Sequence, residues 1–121
     1  MRNGKDLRER TKRFALDVIA LYSSLPKTTV AQVIGKQILR SGTSVGANYR
    51  EADRARSTAE FIAKLGDCLK ELDESIYWFE LMAEGEVMSC EKLSNLTKET
   101  NELIAIFVTI IKNTRKNHGK K

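Results

Sequence analysis

Proline and histidine are almost missing from this 121-residue chain, which has one of each, Pro26 and His118. One proline and seven glycines leave too little punctuation for an all-β fold, whose short strands need many turns. A single histidine removes a credible base for any Ser/His/Asp or Cys/His arrangement. The two cysteines, Cys68 and Cys90, have neither metal-ligand spacing nor a disulfide-rich pattern. Free thiols suit a reducing cytoplasm, and a small apolar residue on a helix face is a simpler reading of each than a nucleophile. Zinc motifs, phosphate loops and dinucleotide fingerprints are all lacking. The segment from Met1 to Lys12 has no apolar h-region, so no signal peptide is expected. The longest apolar run, Leu103 to Val108, falls far short of the roughly 18 residues a membrane span needs. The expectation is a non-enzymatic cytoplasmic protein with no metal, no cofactor and no membrane association.

The residues present are those of an ordinary globular domain, 41% hydrophobic and 31% charged. At this length one domain is expected, large enough to bury a core unaided. Period and punctuation predict four helices, near 6–24, 29–55, 57–84 and 89–113, followed by a frayed basic tail over 115–121. Asp6/Glu9, Thr29/Gln32 and Ser57/Glu60 have the spacing of capping boxes. Leu25-Pro26 ends the first helix, because proline drives its predecessor out of the α region, and Gly85 is placed to cap the third. The first helix repeats Leu7, Phe14, Val18, Leu21 and Leu25, with Thr11 in the missing place. The second carries Val30, Ile34, Ile38, Val45 and Ala52 in one stripe, with Ser41 and Asn48 inside it. Its stretch from Ser41 to Gly46 has poor helix propensity, yet the stripe keeps phase across it, so a continuous helix is expected. Phe61, Leu65, Leu69, Leu72, Ile76, Phe79 and Met82 hold one face of the third. Short connections force antiparallel neighbours, giving an all-α, up-down-up-down four-helix bundle.

Charge is unevenly spread. The chain totals +5, with segments 1–26, 27–56, 57–85 and 86–121 carrying +3, +4, −5 and +3. On the second helix, Lys36, Arg40, Arg50 and Arg54 fall within about an 80° sector at 100° per residue, opposite the apolar stripe. Thr43 and Ala47 between them would not obstruct a nucleic-acid backbone. Such a stripe can neutralise phosphates and release counterions, and Arg8, Arg10, Lys12 and Arg13 can widen it. Two other readings stand beside this one. The stripe can be a solvated face, or it can meet the acidic third helix of a neighbouring copy. Asp67, Glu71 and Glu74 share one face there, and without Glu-x-x-His pairs a solvated acidic face explains them better than a di-metal site. A sector of small residues, Ala31, Gly35, Gly42 and Gly46, admits another helix closely, from within the bundle or from another protomer. Ser41 and Asn48 need hydrogen-bond partners if buried. The fourth helix has two seams, Leu103/Phe107/Ile110 and Ile104/Val108/Ile111, more than a bundle face requires. That excess favours self-association. Tyr77 and Trp78 sit at the edge of the third helix's stripe, as core-edge residues or interface anchors.

The run from Arg40 to Ala52 (RSGTSVGANYREA), with Ala55, Ser57, Phe61, Lys64, Leu65, Lys70, Glu71, Glu74, Tyr77 and Trp78 after it, resembles the four helix bundle protein family. That family includes proteins encoded in intervening sequences of bacterial large-subunit rRNA genes. The accessory variability determinant of diversity-generating retroelements is a relative. The resemblance covers nearly the whole chain. It implies an antiparallel bundle, a barrel-like homopentamer and a basic surface. In the retroelement branch it also implies binding to RNA or DNA and to a reverse transcriptase. On that basis nucleic-acid contact is carried onto Lys36, Arg40, Arg50 and Arg54. Gly35, Gly42, Gly46, Asn48 and Trp78 are assigned to packing or an oligomer interface. The alternative is a structural or protein-adaptor assembly that uses its basic stripe between subunits.

Overall fold

The computed structural model describes residues 4–119, and among these it contains four α-helices and no strand. They are α1 (Gly4–Ser23), α2 (Thr29–Asp53), α3 (Thr58–Glu84) and α4 (Cys90–Gly119). Consecutive helices run antiparallel, as shown by Arg40 lying level with Glu71 and Glu51 level with Lys64. One core runs through all four. It includes Phe14 and Val18 of α1, Ile38 and Val45 of α2, Leu65, Leu72, Phe79 and Met82 of α3, and Leu103 and Phe107 of α4. No described helix is long and apolar enough to cross a membrane.

The helix ends follow local chemistry, with some shifts from expectation. Ser57 caps α3 by accepting from the Glu60 N–H at 3.0 Å, as its box predicts, while the Glu60 carboxylate accepts from the Arg56 N–H. At α2 the cap is Thr28 rather than Thr29, accepting from the Ala31 N–H at 3.2 Å. Gln32, expected in that box, instead donates to the Pro26 carbonyl and accepts from the Tyr22 hydroxyl. α1 begins at Gly4, so Asp6 lies in its first turn, where a negative charge favours the positive end of the helix dipole. Gly85 does cap α3, but Glu86 is the residue with left-handed backbone, φ 58°. α4 outruns its expected end by six residues and carries Arg115, Lys116 and His118 on helix. Lys120 and Lys121 lie outside the described residues.

α2 is continuous through Ser41–Gly46, and packing explains why. Its glycines are the ground on which α1 rests. A Cβ on Gly42 would stand 2.8 Å from Val18 Cγ2, and one on Gly46 would stand 3.2 Å from Thr11 Oγ1. At Gly35 the same atom would stand 2.5 Å from Leu25 Cδ1 and 2.9 Å from Tyr22. The small-residue sector therefore faces the protein's own first helix. The buried face of α2 is turned accordingly, toward Ala31, Ile38, Ser41, Val45, Tyr49 and Ala52, and it leaves Val30 58% exposed. Asn48 is half-buried, whereas Ser41 is fully buried and bonded to Ser75 across the α2–α3 seam at 2.9 Å. On α4 the two seams are split differently from their sequence order. Leu103, Phe107 and Ile111 are buried, Ile104 and Ile110 are half-buried, and Val108 is exposed.

Candidate nucleic-acid interface

The four stripe residues Lys36, Arg40, Arg50 and Arg54 are all exposed, but they are not equivalent. Arg40 reaches across to α3, pairing with Glu71 at 3.3 Å and with Glu74. Its charge is committed within its own chain, and so is much of the acidic face it meets. The expected pairing with the third helix of another copy is, for this arginine, made inside one protomer. On α3, Lys64 pairs with Glu51 of α2 at 2.6 Å. No ion pair joins Lys36, Arg50 or Arg54 to another described residue. The α1 cations are similarly divided. Arg10 grips Glu99 and Glu102 of α4 at 2.7 and 2.6 Å, Arg8 pairs with Asp53 at 3.4 Å, and Arg13 pairs with Asp17 at 3.6 Å. Glu99, first through its hydrogen bond, raises the Arg10 pKa. Lys12 is exposed and pairs with no described residue.

Lys12 and Arg50 flank the same feature, an open groove of about 310 Å³ between α1 and α2. Thr11, Ala15, Thr43, Gly46 and Ala47 form its floor. Short side chains on both helices thus leave room between two cations. Thr43 keeps its hydroxyl turned to the Leu39 carbonyl at 2.7 Å, as helical threonines do.

Antiparallel packing converts the sequence's charge segments into a polarity along the bundle. One half gathers the start of α1, the end of α2, the start of α3 and the end of α4. Residues 6–13, 45–67 and 102–118 there hold 11 Lys/Arg against 7 Asp/Glu, net +4. The other half, 14–44 and 68–101, holds 6 against 9, net −3. Arg50 and Arg54 belong to the basic half, Lys36 and Arg40 to the acidic one. The linear stripe is therefore divided, and Arg56, Arg115 and Lys116 join the basic half. Residue-by-residue periodicity on α2 could not show those three. The signal available was the antiparallel order combined with the segment charges.

Of the residues assigned to packing or an interface, Gly35, Gly42 and Gly46 pack against α1. Trp78 is half-buried with its ring edge-on to Tyr77, centroids 5.1 Å apart. Its Nε1–H is buried without a hydrogen-bond partner, an unmet donor in the bundle wall. Cys68 is buried, donates to the Val45 carbonyl at 3.5 Å, and burial pushes its thiol up to about 12. Cys90, read as a small apolar residue on a helix face, is exposed at the first position of α4. Among the described residues no group of three or more His, Cys, Asp or Glu could hold a metal ion.

These features define an all-α bundle with a charge-polarised surface. The chain belongs to the 23S rRNA-intervening sequence protein family, whose model matches residues 5–109. It is also similar to a solved structure from Bacteroides thetaiotaomicron, a protein of unknown function from the S23 ribosomal protein family. The two share 38% identity over 90% of this chain and 97% of that one, with a TM-score of 0.84. No functionally curated protein matches the chain.

Proposed function

We propose that this protein is a non-enzymatic, homo-oligomeric helical scaffold that binds nucleic acid through the basic half of its bundle. The observation that carries the reading is the division of charge, net +4 against −3, with Lys12 and Arg50 left uncommitted beside an open groove and Arg54 uncommitted one turn beyond Arg50. Cations already paired to carboxylates gain little from a phosphate, whereas uncommitted arginines can release the counterions that drive such binding. Contacts of this kind position a backbone and do not read sequence. The link of the family's name to rRNA points the same way.

Self-association is supported by apolar side chains that the single chain leaves uncovered. Leu16 and Ile19 lie one turn apart on α1, and Val30 and Val33 one turn apart on α2, all exposed. Paired apolar residues on successive turns suit an interface better than scattered ones do. A homopentamer is the form the family resemblance implies, and the free thiols suit a cytoplasmic setting. Leu16→Glu with Ile19→Glu should reduce the particle to the 13.7 kDa protomer by light scattering.

The binding test is anisotropy of labelled RNA with charge reversals. Arg50→Glu with Arg54→Glu should weaken binding at least tenfold with an unchanged far-UV circular dichroism spectrum. Arg40→Glu should instead lower the melting temperature, since it opposes Glu71 and Glu74. Unchanged affinity in the Arg50/Arg54 variant would refute the reading. It would leave the protein-adaptor assembly, in which the basic half meets an acidic protein or the acidic half of another copy.

A further inference from the structure

The basic half also contains a half-open cavity of about 670 Å³, lined by residues of all four helices. Leu7, Phe61, Ile106 and Ile110 supply apolar walls. Tyr49, also in the lining, is only 5% exposed and packs its ring on Phe107, centroids 5.8 Å apart. Its hydroxyl has no hydrogen-bond partner among the described residues and opens onto the cavity rather than being sealed in the core. Asp53 and Asn113 stand at the polar edge of the cavity, and Asp53 is held there by Arg8. Burial first, and then Asp53, raises the Tyr49 pKa, so the phenol stays protonated and able to donate.

We infer that this cavity accepts an unstacked base of single-stranded nucleic acid, with Phe61 as its aromatic contact and the Tyr49 hydroxyl as a donor to its edge. The inference rests on the nucleic-acid reading above and deepens it. A base is a flat, apolar-faced body with hydrogen-bonding edges. The cavity pairs apolar and aromatic walls with the Tyr49 hydroxyl, the Asp53 carboxylate and the Asn113 amide. Stacking on aromatic side chains is sequence-tolerant, because every base has a π-face. Charge selects this occupant over a neutral amphiphile. The same end of the bundle carries Arg54, Arg56, Arg115 and Lys116, all exposed, so a strand entering the cavity keeps its flanking phosphates among cations. Single strands are preferred because a duplex would first have to unstack and unpair the base, at a cost in free energy.

The test compares two RNA strands of about 12 nucleotides, a length within the usual site sizes, one natural and one abasic with the same phosphates. Each is titrated by anisotropy into the full chain and into two variants. Thr109→Trp places an indole at an exposed position of the cavity lining, and Tyr49→Phe removes only the hydroxyl. The natural strand should bind wild type at least tenfold more tightly than the abasic one. Thr109→Trp should bring the natural strand down to the abasic level and leave the abasic strand unchanged. Tyr49→Phe should cost the natural strand about fivefold, the scale of one hydrogen bond. Equal binding of both strands, unaffected by Thr109→Trp, would overturn the base-binding site and leave phosphate binding standing. Binding of neither strand would overturn both readings. A change of particle mass in Thr109→Trp with intact binding would show a protomer contact instead, and would also overturn the proposal.

Discussion

Cys68 and Cys90 differ in everything but atom type. The exposed Cys90 should be alkylated rapidly in the folded protein, and Cys68 only on unfolding, as intact mass with and without denaturant would show. Cys68 also couples folding to alkaline pH. Its folded value of about 12 lies above the ordinary 9.0, so the folded state holds that proton more tightly. The associated stability is complete below pH 9.0 and is lost as pH rises toward about 12. Urea midpoints should fall across that window, and less so in Cys68→Ala. Glycines provide a second contrast. Gly42→Ala puts a methyl against the β-branched Val18, which has little rotamer freedom to yield, and should destabilise by about 1–3 kcal/mol. Gly66→Ala meets nothing within 4 Å and should stabilise by about 1 kcal/mol through helix propensity. Ser41 and Ser75 bond to each other, and Ser75 also donates to the Glu71 carbonyl at 2.9 Å. Which of these six positions touched which partner was not legible in the sequence. Periodicity placed Ser41 in a stripe but could not name Ser75 across the seam.

Among the helices, α1 and α4 make the sparsest contact in the bundle, and Arg10 with Glu99 and Glu102 is its main polar clasp. All three side chains are partly solvated, so Arg10→Met should cost only about 1 kcal/mol, and less at high salt. The α3–α4 turn stores a different cost, since Glu86 occupies a left-handed conformation that glycine adopts freely. Glu86→Gly should raise stability by about 0.5–1 kcal/mol in a urea titration. The sequence placed glycine one residue too early for that role, because a C-cap and the left-handed residue after it both read as "glycine near the end". Helix number, order and the unbroken path of α2 were legible, because each helix had a sustained 3.6-residue stripe. The orientation of α2 was less so. Val30 satisfies the period but points away, since Gly35, Gly42 and Gly46 are the residues that let α1 approach. Burial there follows smallness, which a count of apolar residues overlooks. The end of α4 was misplaced for the opposite reason. Its last turns are polar, and only their helical continuation sets Arg115 and Lys116 beside the ends of the other helices.

For the whole molecule, the antiparallel fold turns an alternation of basic and acidic segments into two oppositely charged halves. The sequence made the segment charges plain, and the fold leaves Arg50 and Arg54 exposed in the basic half. It also joined them to Arg40, whose guanidinium the fold gives to Glu71 and Glu74. A one-helix view contains no information about that partner. The cavity around Tyr49 and Phe61 was equally hidden, being assembled from four segments far apart in the chain. At this scale the proposal is that an oligomer of this chain binds nucleic acid electrostatically. It is tested most directly by light scattering on the purified protein with and without single-stranded RNA, at low and at moderate salt. The expected result is a particle several times the 13.7 kDa protomer that gains mass with RNA at low salt and loses that gain as salt rises. An oligomer whose mass ignores RNA at every salt concentration would contradict it.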